Sequence, residues 1–381
     1  MEKIYLDNAA TTPVAREVLD AMMPYFSEKY GNASSIHSFG TEAKEALEDA
    51  REKIANKLNA NPYEIVFTSG GTESNNLALK GAALSNRKKG NHIITTKIEH
   101  GSVLKPCKWL EKLGFDVSYL DVDEYGLVDP ENFENSIRDE TIMVSVIHGN
   151  NEIGTIQDID EIGKIAREKE IYFHIDACQS FTKTGINVET QNLDMVTINS
   201  HKIYGPKGIG ALYIREGVKV DPLIHGGGHE RKLRAGTENI PGIVGFAKAA
   251  EITTPGDVEK MRELRDYLIK RIINEIPNSN LIGHPQKRLC NNANFTFKFI
   301  EGESMLMLLD QAGICVSTGS ACSSHALKPS HVLLATGIPP EDAHGSLRLS
   351  PGKYNTLEEM DYTVVNLKKI VGRLRELSPF K

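Results

Sequence analysis

The strongest constraint on this chain is an alternation of two periodicities. Short apolar, strand-like runs fall at 64–68 (EIVFT), 92–96, 116–120, 141–146, 171–175, 195–199 and 210–214. Most are separated by segments of helical spacing, near 102–113, 130–137 and 159–169. Earlier in the chain, Ala43, Ala46, Leu47, Ala50, Ile54 and Leu58 recur on one helical face, which predicts a helix over 41–58. Strands that alternate with helices predict an α/β fold: a mostly parallel sheet of seven strands flanked by helices. In such sheets ligands collect at the carboxyl ends of the strands.

The pattern changes near 255, at TTPGD. A helix is predicted over 257–276, a strand over 294–299, a helix near 303–312 and a last helix from Thr356 to about 376, opened by a Thr356/Glu359 capping box. These elements predict a smaller α+β domain. With the resemblance described below, the division is 15–256 for a large domain, and 1–14 with 257–381 for a small one.

Composition excludes several classes. A formal net charge of -7 argues against a general nucleic-acid or membrane-surface binder. No apolar run approaches the roughly 20 residues that cross a bilayer. MEKIYLDNAATTP carries no apolar signal core and no arginine-rich amphipathic helix, so a cytoplasmic location is expected. The 5 cysteines are odd in number and form no CxxC pair, which predicts reduced thiols. His225 and His229 share an i, i+4 spacing, but the three glycines between them oppose a helix, and no metal site is expected.

Several residues sit where strand ends are predicted. Lys202 follows MVTIN and precedes a Gly/Pro-rich turn; a lysine there could condense with an aldehyde cofactor, though a solvated surface charge is the ordinary reading. Asp176 closes the run IYFHI and could protonate the pyridine nitrogen of pyridoxal phosphate (PLP), or simply cap a helix. In TSGGTESNN, glycines at a strand-to-helix turn expose N–H groups to a phosphate, with Gly71 and Thr72 as candidates; an ordinary turn would look the same. His100 could stack on a flat ring and exchange protons, or be a satisfied structural histidine. Asn151 and Gln179 could donate to a ring oxygen or satisfy backbone. Arg348, in an apolar run, suits either a substrate carboxylate or an internal ion pair. Cys322 stands among serines, threonine and glycine, a polar setting that predicts an accessible nucleophilic thiol.

Taken in order, LDNAATTPV, GNASSIHSFG, FTSGGTESNNLALKG, EHGSVL, NNEIGTIQDI, HIDACQS, SHKIYGPKGIGALY, GGGHERKLRAGTENI, GSACSS and LRLSPGKYNT resemble the cysteine desulfurases of the NifS/IscS type, within the class V aminotransferases of PLP fold type I. The resemblance implies that Lys202 bonds the PLP aldehyde and that Asp176 pairs with the ring nitrogen. His100 would stack on the ring and carry protons. Gly71, Thr72, Ser200 and His201 would meet the phosphate side, with Thr237 supplied across a homodimer. Asn151 and Gln179 would face the ring oxygen, Asn151 and Arg348 the substrate, and Cys322 would accept sulfur from L-cysteine as a persulfide. The implied recipient is an iron–sulfur scaffold or another sulfur-acceptor protein. Two departures stand out: Asn199 replaces a small residue or serine, and His325 follows the cysteine motif, where it could tune the thiol or do nothing. Other PLP reactions, such as selenocysteine cleavage or cysteine-sulfinate desulfination, need less from Cys322. A sulfur carrier without enzymatic activity would not need Lys202 and Asp176, and a nicotinamide dehydrogenase would need GxGxxG after a strand.

Overall fold

A computed structural model of the protein describes residues 3–318 and 329–378. Its centre is a seven-stranded sheet in the order Ile65–Thr68, Gly210–Ile214, Met195–Asn199, Tyr172–Asp176, Thr141–Ile147, His92–Thr96, Asp116–Leu120. Only Gly210–Ile214 runs antiparallel to its neighbours. Six of the strands therefore end at one edge, and the antiparallel strand begins there. Apart from the partly buried Tyr172, the middle strands are buried along their whole length, as expected for a sheet covered on both faces.

The predicted strands of the large sheet sit within a residue of the observed ones, whereas the strand predicted over 294–299 is observed at Ala293–Phe297. Glu64 falls outside its predicted strand: it closes a short 3-10 turn at Pro62–Glu64, reaching back to the N–H of Asn61. Helix Ser38–Leu58 starts earlier than its apolar stripe, because the His37 imidazole accepts from the Gly40 N–H and caps it. Helices Arg16–Met22 and Ile240–Ile252 have no strong amphipathic signature in the sequence; the second is almost uniformly apolar and is buried against Ser38–Leu58.

A second core lies apart from the sheet. It joins Ile4 and Leu6 to Leu264, Leu268, Phe295, Leu347, Val364 and other residues of the carboxyl-terminal third. Helices Pro255–Glu275 and Leu357–Leu377 pack on a three-stranded antiparallel sheet ordered Ser346–Leu349, Ala293–Phe297, Ser279–Ile282. Both helices open with a complete capping box, Thr254/Asp257 and Thr356/Glu359. Ile4–Tyr5 pairs in parallel with Ile314–Cys315, which brings the amino terminus to this core. A small apolar cluster, with Ile98, Ile147, Ile153, Ile282, Val332 and Leu333, bridges the two.

Candidate active site

The carboxyl edge of the large sheet gathers the expected residues. Asp176 is the last residue of its strand and pairs with Thr197 on one side and Ile147 on the other. Met195–Asn199 leads directly into Ser200, His201 and Lys202. The turn carrying Lys202 is buttressed by the amino-terminal segment: the Thr12 hydroxyl donates to the His201 carbonyl at 3.0 Å and accepts from the Tyr204 N–H at 2.8 Å.

Asp176 is buried, 3% exposed, and has no cationic partner within ion-pair distance among the described residues. Its Oδ1 accepts from the Cys178 N–H at 3.0 Å and its Oδ2 from Asn75 Nδ2 at 2.7 Å. Burial raises its pKa, but His100 and these donors outweigh that and leave it below the ordinary carboxylate value. The aspartate is thus held ionised in the interior, although one of its bonds is the cap-like contact expected of an aspartate after a strand.

Asn75 connects two regions. Its amide also donates to Ser102 Oγ at 2.8 Å, and Ser102 Oγ lies 2.7 Å from His100 Nδ1. A continuous chain, His100–Ser102–Asn75–Asp176, fixes the imidazole relative to the carboxylate. Burial lowers the His100 pKa, and Lys202 and His331 add to the effect against Asp176, so the ring favours the neutral form. Asn75 was not singled out as a site residue in the sequence; its signal was a position one helical turn after Gly71 in SNN.

Opposite lies the turn between Thr68 and the helical run that opens at Gly71–Asn76. Gly70 has φ +147°, which favours glycine there, and a Cβ on Gly71 would come within 2.4 Å of Cys178 Sγ. Thr72 is exposed at this helix start. Nearby, buried Ser200 Oγ, Asn199 Oδ1 and Gln179 Oε1 have no hydrogen-bond partner. Gln179 Nε2 donates to the Ala9 carbonyl at 2.8 Å. His201 is pushed down to about 4 by burial and by Lys202, Lys207 and Lys183.

Arg348 enters from the smaller sheet. Its Nη1 donates to the Asn151 carbonyl at 2.7 Å and its Nη2 to Asp7 at 2.9 Å, while buried Nε has no partner among the described residues. The internal ion pair left open by the sequence is therefore present, with Asp7 as the carboxylate; among those residues one guanidinium donor remains unpaired. Asn151 reaches this group through its main chain. Thr237 is exposed and lies beyond a turn in which Glu230, Arg231 and Lys232 all have positive φ. That turn is anchored by a buried pair: both Glu230 oxygens take Arg51 donors at 2.8 Å, and Oε2 also accepts the Phe67 N–H at 2.8 Å. Cys322 and His325 lie outside the described residues.

This arrangement brings a buried carboxylate, the turn that carries Lys202 and a glycine turn to one edge of the sheet. The aminotransferase class-V model matches residues 4–363, and the chain belongs to that family. Within it, a cysteine desulfurase IscS of Methanosarcina thermophila is 55% identical over 99% of this chain and 94% of its own. Another, from Archaeoglobus fulgidus, is 51% identical over 98% of each chain. Among solved structures, a NifS-like protein superposes with TM-score 0.91 at 41% identity, covering 98% of this chain and all of its own. SspA in complex with cysteine gives TM-score 0.84 at 40% identity, over 93% of this chain and 100% of that one. The chain is a cysteine desulfurase by this kinship, and PLP is the family's cofactor. The residues present fit that group: Asp176 offers an anion to a ring nitrogen, the Gly70–Gly71 turn leaves room for a phosphate, and Ser200, Asn199 and Gln179 hold unsatisfied polar atoms around it.

Proposed function

We propose that the chain converts L-cysteine to L-alanine and carries the sulfur as a persulfide on Cys322, with Lys202, Asp176, His100 and Arg348 in the roles the resemblance implies. The observation that carries this reading is the juxtaposition of Asp176, kept ionised by Asn75 and Cys178, with the turn bearing Lys202 on the adjacent strand. When bound, PLP supplies an aldehyde for the substrate amine and a ring that accepts electrons from a breaking bond. Asp176 keeps a proton on the ring nitrogen. Lys202 Nζ removes and returns the Cα proton. Neutral His100, held by Ser102, would flank the ring and carry a proton near the leaving sulfur. Arg348 Nε and its neighbours, together with Asn151, orient the substrate carboxylate. Gly71, Thr72, Ser200 and His201 line the phosphate side, and Gln179 and Asn151 face the ring oxygen.

The Cys322 thiolate forms an S–S bond to the substrate sulfur as the C–S bond breaks. The carbon keeps the electron pair and takes a proton, so cysteine and a thiol become alanine and a persulfide. In this proposal the protein is a homodimer, with Thr237 reaching the phosphate side of the second copy. Exposure of Thr237 and of the apolar residues Met23, Phe26, Tyr30 and Ile36 supports that arrangement. A large domain of 15–256 and a small one of 1–14 with 257–381 are part of it. So are a cytoplasmic location and a sulfur acceptor such as an iron–sulfur scaffold. Among the described residues, no helix is long and apolar enough to cross a membrane.

The test is incubation with L-cysteine, followed by mass analysis. Alanine in solution and one extra sulfur on the Cys322 peptide are expected. Alanine without sulfur on that peptide moves the acceptor elsewhere; no alanine at all ends the proposal.

A further inference from the structure

One buried carboxylate near the site takes no part in the chemistry above. Glu152 lies in the loop after strand Thr141–Ile147, 7% exposed. Its main chain is fixed on three sides: its N–H donates to Asn150 Oδ1 at 2.8 Å, and its carbonyl accepts from Asn292 at 3.2 Å and Asn294 at 2.9 Å. Its side chain accepts the Ser330 hydroxyl. The hydroxyl oxygen of Ser330 in turn accepts the Val332 N–H at 3.1 Å and the Leu333 N–H at 3.5 Å, capping helix His331–Ala335. Next door, His331 Nε2 lies 3.0 Å from the Glu99 carbonyl. Among the described residues this buried carboxylate meets no cation within ion-pair distance, and burying it has a cost.

The position of Ser330 supplies a reason for keeping it. Upstream of Cys322, Ser317 and Arg348 exchange backbone bonds, at 3.3 and 2.7 Å. Downstream, Ser330 is held by Glu152, whose preceding residue, Asn151, gives its carbonyl to the Arg348 guanidinium. The upstream flank is fastened to the arginine by main chain, and the downstream flank is held by the Ser330–Glu152 bond together with His331 and the apolar packing of Val332 and Leu333.

We infer that Glu152 is a positioning residue: it ties Ser330, on the carboxyl side of Cys322, to the loop that holds Arg348, and so sets the register between the sulfur-accepting cysteine and the substrate site. This rests on the function proposed above. Burial pushes the Glu152 pKa up to about 7, against Ser330 and Arg348. The bond from Ser330 requires only an acceptor oxygen, which either protonation state or a glutamine provides.

The experiment uses the full-length, PLP-loaded protein and its variants E152A, E152Q, S330A and E152A/S330A. Three readouts are taken: the rate of Cys322 alkylation by iodoacetamide mapped by mass, kcat and KM for alanine release, and the thermal midpoint. E152A and S330A should each change the alkylation rate and lower kcat by about three- to tenfold, the scale of one lost buried hydrogen bond, with KM moving less. E152Q should recover most of the loss. The double variant should be no worse than the poorer single one, since both remove the same tie. Should E152A not fold, S330A carries the test alone. Variants that alkylate and turn over like wild type, or that differ only in thermal midpoint, overturn the inference while leaving the desulfurase reading intact. A wild-type protein that makes neither alanine nor persulfide sinks that reading instead.

Discussion

The two sides of the site are built differently. The side proposed for the cofactor is a row of strand ends: Asp176 and Asn199 close neighbouring parallel strands of the large sheet. The substrate side is assembled from distant pieces. Arg348 comes from the smaller antiparallel sheet, Asp7 from the amino terminus and the Asn151 carbonyl from a loop. A parallel sheet aligns its strand ends by hydrogen-bond register, so placing one places its neighbours. The substrate side has only isolated bridges, Asp7 with Ser350 and Ser317 with Arg348, and its Asn151 carbonyl comes from a loop, so it also depends on packing between two cores. The cofactor side should therefore fail abruptly when one residue is lost, and the substrate side should weaken by degrees.

The sharpest test of the rigid side is Lys202→Ala. It should abolish both the cofactor's aldehyde-bound absorbance and alanine formation; wild-type turnover would remove the amine from the mechanism. The Arg51–Glu230 pair, which holds the turn before Thr237 against the first strand, comes next. Glu230→Ala leaves the buried Arg51 with only the exposed Glu48 as its carboxylate partner, and should lower unfolding free energy by about 3 kcal/mol in denaturant titration. A loss comparable to that of an exposed pair would mean the turn is held by other contacts.

On the substrate side, Arg348→Ala should raise KM for cysteine by the value of a charged hydrogen bond, about 1.5–3 kcal/mol, while cofactor absorbance persists. Loss of cofactor instead would show that the two sides are not separable. A pH-dependent effect concerns Glu99, beside His100. Burial raises its pKa from 4.5 to about 8, against bonds from Thr96 and Ile147. The folded state holds this proton where the unfolded state releases it. Stability from this group is therefore full below pH 4.5 and is lost as pH rises through about 8. Glu99→Gln should flatten that part of the stability–pH curve; an unchanged slope would assign it to other groups.

The sequence revealed these two sides unequally. Strand ends are local: MVTIN before Lys202 and IYFHI before Asp176 mark their positions without any knowledge of packing. The helix and strand periodicities of the large sheet follow for the same reason. Asn75 bonding Asp176, Asp7 bonding Arg348, and Glu152 bonding Ser330 are separated by 101, 341 and 178 residues. No periodicity encodes such pairs. Arg348 could thus be flagged as an arginine in want of an anion, while the anion could not be named. The helix Ile240–Ile252 escaped because it is apolar on every face, and a moment that is absent leaves no stripe to read. Cys322 rests on its serine-rich sequence and the resemblance.

The turn at Glu230–Lys232 has a consequence for engineering. Three successive side-chain-bearing residues occupy a conformation that costs an L-residue roughly 1–2 kcal/mol apiece. Glu230 and Arg231 recover part of this through bonds to Arg51, Phe67 and Ile65, whereas the exposed Lys232 side chain makes no such bond. A glycine at 232 would relax the backbone while sparing those anchors. The spot is thus a built-in reserve of thermal tolerance, tucked beneath the arm that carries Thr237.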